Sequence, residues 1–139
     1  MLRVEALMEK LDLKKTLKHL YNAKDAPAIV EVPVLKFLLI AGHGNPNTAQ
    51  EYKDALQALY SVAYTLKFKV KKEMGIDYGV LALEGLWWMD NMAEFTVKRK
   101  DDWKWSMLIY QPDFITPELV AAAIEEASRK KSLPSLPGL

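Results

Sequence analysis

Residues 76–111 read IDYGVLALEGLWWMDNMAEFTVKRKDDWKWSMLIYQ. Two strand patterns lie in this stretch with no helical period between them. Tyr78 to Trp88 has strand character, dense in large apolar side chains, and Trp103 to Gln111 alternates at period two. The polar run between them is turn-like, with Asp101 and Asp102 near a hairpin tip. Two strands in direct succession make an antiparallel pair, and that pair decides the fold class.

Upstream, IVEVPVLKFLLIAGHG supplies a third strand, Val30 to Ile40. Pro33 costs it one ladder hydrogen bond and marks an edge or a strand start. GHGNPNTAQEY is a loop leading into a helix, with Asn47 or Thr48 as N-cap and Glu51 in capping-box position behind Thr48. That helix runs to about Lys71. It buries Tyr52, Ala55, Leu56, Leu59, Val62, Ala63 and Leu66 at four-three spacing, with Tyr60 and Tyr64 as a second row beside the stripe. Gly75 ends it. Leu7, Met8, Leu11, Leu17 and Leu20 predict an amphipathic helix from Val4 to Leu20, closed by NAKDAP. Thr116 caps a last helix, with Pro117 in its first turn and basic residues at its end. The class is therefore α+β: a strand–helix–strand–strand module, its antiparallel sheet carrying helices on one face, with extra N- and C-terminal helices. Residues 1–26 form the N-terminal helix and linker, 27–131 the single module, and 132–139 a Pro-rich tail without helix or strand logic. No internal repeat is present.

The totals exclude several chemistries. Half of the 139 residues are apolar, enough for one domain with a real core. Nineteen basic and eighteen acidic side chains leave a net charge of +1, which gives no electrostatic footprint for nucleic acid. The cluster Lys67, Lys69, Lys71 and Lys72 reads as a solvated helix end. Without cysteine there is no disulfide, thiolate metal site or cysteine nucleophile. No run approaches a membrane span, and the charged start is not a signal peptide. The expectation is a soluble cytoplasmic protein with no membrane partner. His43 in GHG lacks a second ligand or a phosphate-loop lysine nearby, so it reads as a turn. No Ser–His–Asp pattern surrounds any serine. No metal and no cofactor is expected.

Four tryptophans and six tyrosines are a heavy load for this length. Each alone is best read as core. Alternation places Tyr78, Val80, Ala82, Glu84, Leu86 and Trp88 on one face of their strand and Leu81, Leu83 and Trp87 on the other. Trp103, Trp105, Met107 and Ile109 share one face of the next strand, opposite Lys104, Ser106, Leu108 and Tyr110. Both faces of both strands carry large apolar groups, and one helix layer cannot cover both. Some of this surface should meet a second layer, another subunit or a ligand. Glu84 is the exception in the pattern. A carboxylate among apolar groups is costly unless paired. Lys36, Lys67 or Lys104 could pair with it. Otherwise it can serve as counter-ion to a lipophilic cation stacked on aromatic rings, or as a general acid or base.

The blocks KLDLKKTLKHLYNAKDAPAIVEVPVLKFLLIAGHGNPN, ALYSVAYTLKF, IDYGVLALEGLWW and WKWSMLIYQPDFIT resemble the GyrI-like small-molecule-binding proteins of bacteria, colinearly over about Lys10 to Lys131. The resemblance implies a strand–helix–strand–strand module, two of which pair about a pseudo-twofold axis in that family. Ligand then lies in the cleft between them, lined by aromatics around a glutamate. Related domains sense cationic lipophilic drugs, and some free-standing members hydrolyse cyclopropanoid DNA-alkylating toxins. Carried over residue by residue, Glu84 takes the position of the cleft glutamate with Trp87 and Trp88 beside it. Tyr60 and Tyr64 match the helix aromatics, and Trp105 joins the ligand-binding set. Family members are about twice as long, so the resemblance implies a homodimer that rebuilds the cleft. The first functional expectation is binding of small apolar, including cationic, compounds. The alternatives are hydrolysis of strained rings with Glu84 activating water, and an assembly or truncated module that takes no ligand.

Overall fold

The computed structural model describes residues 10–139. The fold is α+β. Three strands form an antiparallel sheet in the order β2–β5–β4: β2 is Lys36–His43, β4 Glu84–Trp88 and β5 Lys104–Gln111. Strand β1, Lys10–Leu11, pairs in parallel with β3, Asp77–Tyr78, in a separate two-stranded ribbon. The long helix α3, Gln50–Met74, packs across β2 and β5, and α4, Pro117–Lys130, packs on α3.

The register shows why one face of the sheet is dry. Leu38 pairs with Ile109 and Ile40 with Met107, and Trp105 lies between Gly42 and Trp87. All of these except Gly42 and Trp87 are buried, and they meet Ala55, Ala58, Leu59, Val62, Ala63, Leu66 and Val70 of α3. The expected stripe on α3 is thus the core stripe, with Tyr52 and Leu56 half-buried at its margin. Gly42 is required here by close approach. A Cβ at that position would come 2.6 Å from Cζ2 of Trp105 and 2.7 Å from Oε1 of Glu51. Gly75 closes α3 in the left-handed conformation at φ 68°, the geometry that favours glycine at a helix end.

Several local readings change. The predicted helix from Val4 to Leu20 begins outside the described residues. Its described part is β1 followed by two four-residue helices, α1 (Leu13–Thr16) and α2 (Lys18–Tyr21). Asp12 resets the chain, because its Oδ1 accepts from the amides of Lys14 and Lys15 as an N-cap. Helices this short do not stand alone; these are held by buried Leu13 and by Leu17 and Tyr21 packed on the core. Strand β2 starts three residues after Pro33 and runs to His43. Helix α3 is capped at Ala49 without a side-chain bond. The preceding turn is closed instead by Asn45, whose carbonyl takes the amides of Thr48 and Ala49 and whose Oδ1 takes that of Asn47. Gly79 to Leu83 interrupt the expected strand from Tyr78 to Trp88. Thr116 caps α4 as expected, accepting from the amide of Leu119. The tail makes one tight turn, Leu136–Gly138, and buries Leu133 and Leu136 in the common core. Among the described residues no helix is long and apolar enough to cross a membrane.

Candidate functional site

The face of the sheet away from α3 is built by alternation. Phe37, Leu39 and Ala41 of β2 stand beside Tyr110, Leu108 and Ser106 of β5, and Glu84 and Leu86 of β4 stand opposite Leu108 and Ser106. Leu39 is 40% and Leu86 59% exposed. The apolar load that one helix layer could not cover is therefore open on this side. At one end α2 and the extended segment 30–35 rise over the sheet and enclose a groove of about 460 Å³. Leu20, Val30, Val32, Pro33, Leu35 and Phe37 supply its apolar walls, and Glu84 and Tyr21 its polar groups. A second hollow of about 500 Å³ shares Leu20 and Val30 with it and continues past His19.

Glu84 is paired, but not with a base. The Tyr21 hydroxyl donates to its Oε2 at 2.8 Å. The three lysines that could have neutralised it are engaged elsewhere. Lys36 Nζ donates to the carbonyls of Asp113 and Ile115 at 2.8 and 3.1 Å. Lys67 holds Asp77 at 2.8 Å and the carbonyl of Tyr78 at 2.6 Å. Lys104 bonds Asp90 at 2.5 Å. Among the described residues no cation lies within ion-pair distance of Glu84. Burial first, then the hydrogen bond to Glu84, pushes ionisation of Tyr21 far above the usual phenol range. The phenol therefore stays a donor. The groove thus offers an apolar cavity, one carboxylate and one neutral donor.

The six residues expected to share a cleft are distributed over both sides of β4. Glu84 and Trp88 stand on the open face. Trp87 lies on the helix side, its ring centroid 5.8 Å from Tyr52 and 5.7 Å from Trp103. Its indole nitrogen would come 2.8 Å from a Cβ at position 85, so Gly85 in LEGLWW is the residue that admits the ring. Trp105 is fully buried, edge-on to Tyr52 at 5.4 Å. Tyr60 and Tyr64 stack on each other along the outside of α3 at 6.4 Å, 36% and 46% exposed. Tyr64 also lines a groove of about 480 Å³ between α3 and α4 with Phe68, Lys72 and Lys130. Tyr21 and Phe37 belong to the Glu84 groove and lay outside the expected set. No local signal in the sequence sets Tyr21 apart: it follows directly on the apolar stripe that ends at Leu20. Among the described residues no three His, Asp or Glu side chains cluster closely enough to hold a metal ion.

This fold and groove define a small α+β module with an acid-bearing apolar sheet face. No family model and no curated protein matches the sequence. Solved structures do match. An uncharacterized conserved protein from Listeria innocua superposes with a TM-score of 0.82 at 37% identity, over 91% of this chain and 63% of its own. A hydrolase from Listeria innocua superposes with a TM-score of 0.79 at 38% identity and the same coverages. Another hydrolase structure from Listeria innocua gives 0.72 at 38%, over 88% and 61%. The chain thus spans less than two thirds of the length of the solved proteins it resembles.

Proposed function

We propose that this chain is a GyrI-like module that takes small, apolar, ring-containing compounds, cations included, in the groove beside Glu84. The observation that carries the reading is a carboxylate in an apolar groove whose partner is a phenol and not a cation. Such a carboxylate has no cation of its own among the described residues and is placed to pair with one on a ligand, and the walls supply the apolar area that a small molecule needs. In this reading two copies associate through the open sheet face and the edge of β4, each completing the other's site.

A second reading has its own support. Two of the solved structures similar to this chain are of hydrolases. In that reading Glu84 directs water at a strained electrophilic ring, while the apolar walls of the groove hold the substrate. One pair of proteins tests both. Tryptophan fluorescence is titrated with a planar cationic dye on wild type and Glu84→Gln. Saturable quenching that weakens in the variant supports the groove, and equal quenching in the two rejects it. Turnover of a cyclopropane-bearing alkylator that falls in the same variant selects the hydrolase, and unchanged turnover removes Glu84 from the chemistry.

A further inference from the structure

We propose that Tyr21 is the positioning residue of this site: its hydroxyl fixes the Glu84 carboxylate through Oε2 and leaves Oε1 without a partner among the described residues, so that the groove prefers a cationic ring over a neutral ring of the same shape. The inference rests on the reading of the Glu84 groove as a ligand site and goes beyond it by naming what gives the site its selectivity.

A glutamate side chain has three rotatable bonds, and an unrestrained carboxylate loses that freedom when it binds a ligand. Tyr21 removes much of this cost beforehand. Its ring is packed against the core, and α2 is itself anchored through Leu17 and Leu13. The hydroxyl is thus delivered from a fixed point 2.8 Å from Oε2. The identity of the partner matters as much as its position. A lysine here would hold the carboxylate equally well but cancel its charge. A phenol holds it and leaves the charge in place. The engagement of Lys36, Lys67 and Lys104 by other acceptors keeps that arrangement intact.

The test compares N-methylacridinium with acridine, uncharged in mildly alkaline buffer, on four proteins: wild type, Tyr21→Phe, Glu84→Gln and the double variant. Tyr21→Phe keeps the ring and removes only the donor. A charge-assisted hydrogen bond of ordinary net worth predicts that this variant binds the cation roughly threefold to tenfold more weakly. Binding of acridine should not change. Glu84→Gln should abolish the preference for the cation, and the double variant should be no worse than Glu84→Gln alone, since the two side chains act through one contact. Equal weakening of both probes in Tyr21→Phe would show a packing role and overturn the proposal. So would cation binding that survives Tyr21→Phe at wild-type strength while Glu84→Gln loses it; the groove reading then stands without Tyr21. Cation binding indifferent to Glu84→Gln removes the groove reading, and the positioning role falls with it.

Discussion

Both faces of the sheet carry large apolar side chains, and the two have opposite fates. Under α3, Leu38, Ile40, Trp105, Met107 and Ile109 are sealed against a helix stripe of small and medium side chains. On the other face, Leu39 and Leu86 remain open beside Glu84. The difference is not in apolar content. On the covered side, alanines at 55, 58 and 63 let the helix backbone approach closely, and Gly42 and Gly85 make room for indole rings. On the open side only the four-residue helix α2 and an extended segment reach over the sheet, and they cover one end of it. A face with a dedicated helix becomes core. An apolar face without one becomes a place for something else to bind.

Trp105 offers the sharpest way to break this contrast. It is fully buried, touches Tyr52, and leaves its indole N–H without a partner among the described residues. If the covered face is the stabilising one, Trp105→Ala should cost about 4 kcal/mol, the usual range for truncating a buried aromatic. Urea unfolding checks this. A loss as small as that of an exposed residue would mean that the two faces do not differ in the way described.

Lys67 links the covered layer to the β1–β3 ribbon. It lies mostly out of solvent between Asp77 and the carbonyl of Tyr78, so it is a structural contact and not the solvated helix end expected of that lysine cluster. Lys67→Met should cost about 2 kcal/mol at neutral pH, the scale of a charge-assisted hydrogen bond left half unmade. The Lys67 hydrogen bond is the main reason that Asp77 titrates below its ordinary range. A carboxylate lowered in the folded state contributes stability that is present above its unfolded value and is lost as pH falls through the folded one. The gap between wild type and Lys67→Met should therefore be widest near neutrality and narrow in acid to the part due to the Tyr78 carbonyl, which does not titrate. Thermal melts over a pH series measure this, and a gap that does not change with pH would remove Asp77 from the account.

What sequence reading could reach follows the same divide. Helix α3, the alternation of β5 and the Thr116 cap are local patterns of period and spacing, and the structure keeps them. The alternation also sorted Glu84 and Leu86 from Trp87 correctly. Which face the helix would take, however, depends on how α3 crosses the sheet, and no residue spacing encodes that. The expected cleft set accordingly combined Trp105, which is core, with Glu84, which is on the opposite face. The Tyr21–Glu84 bond joins positions 63 apart in sequence. Glu84 stood out because a carboxylate breaks an apolar run, whereas Tyr21 only follows an apolar stripe and so carries no local mark. Of the expected N-terminal helix, the described part starts as a strand and turns helical only at Leu13, where Asp12 supplies the cap.

Leu86 gives the smallest expected effect on folding and the most specific one on assembly. It is 59% exposed on β4, one of the two edge strands of the sheet, so Leu86→Lys should change unfolding stability by no more than about 0.5 kcal/mol. An apolar edge strand is also a ready surface for pairing with another chain, and a lysine on it is a common way to prevent that. If two copies meet over this face, wild type should sediment as a dimer at micromolar concentration and Leu86→Lys as a folded monomer, as stable as wild type diluted below its dissociation range. A wild type that remains monomeric ends the proposed pairing, and the groove must then work from one copy. A variant that still dimerises moves the interface to another surface, with exposed Tyr60, Tyr64 and Phe68 along α3 as the next place to test. Because the substitution leaves the folded chain nearly untouched, either result bears on association alone and separates the open face from the covered one by what it binds.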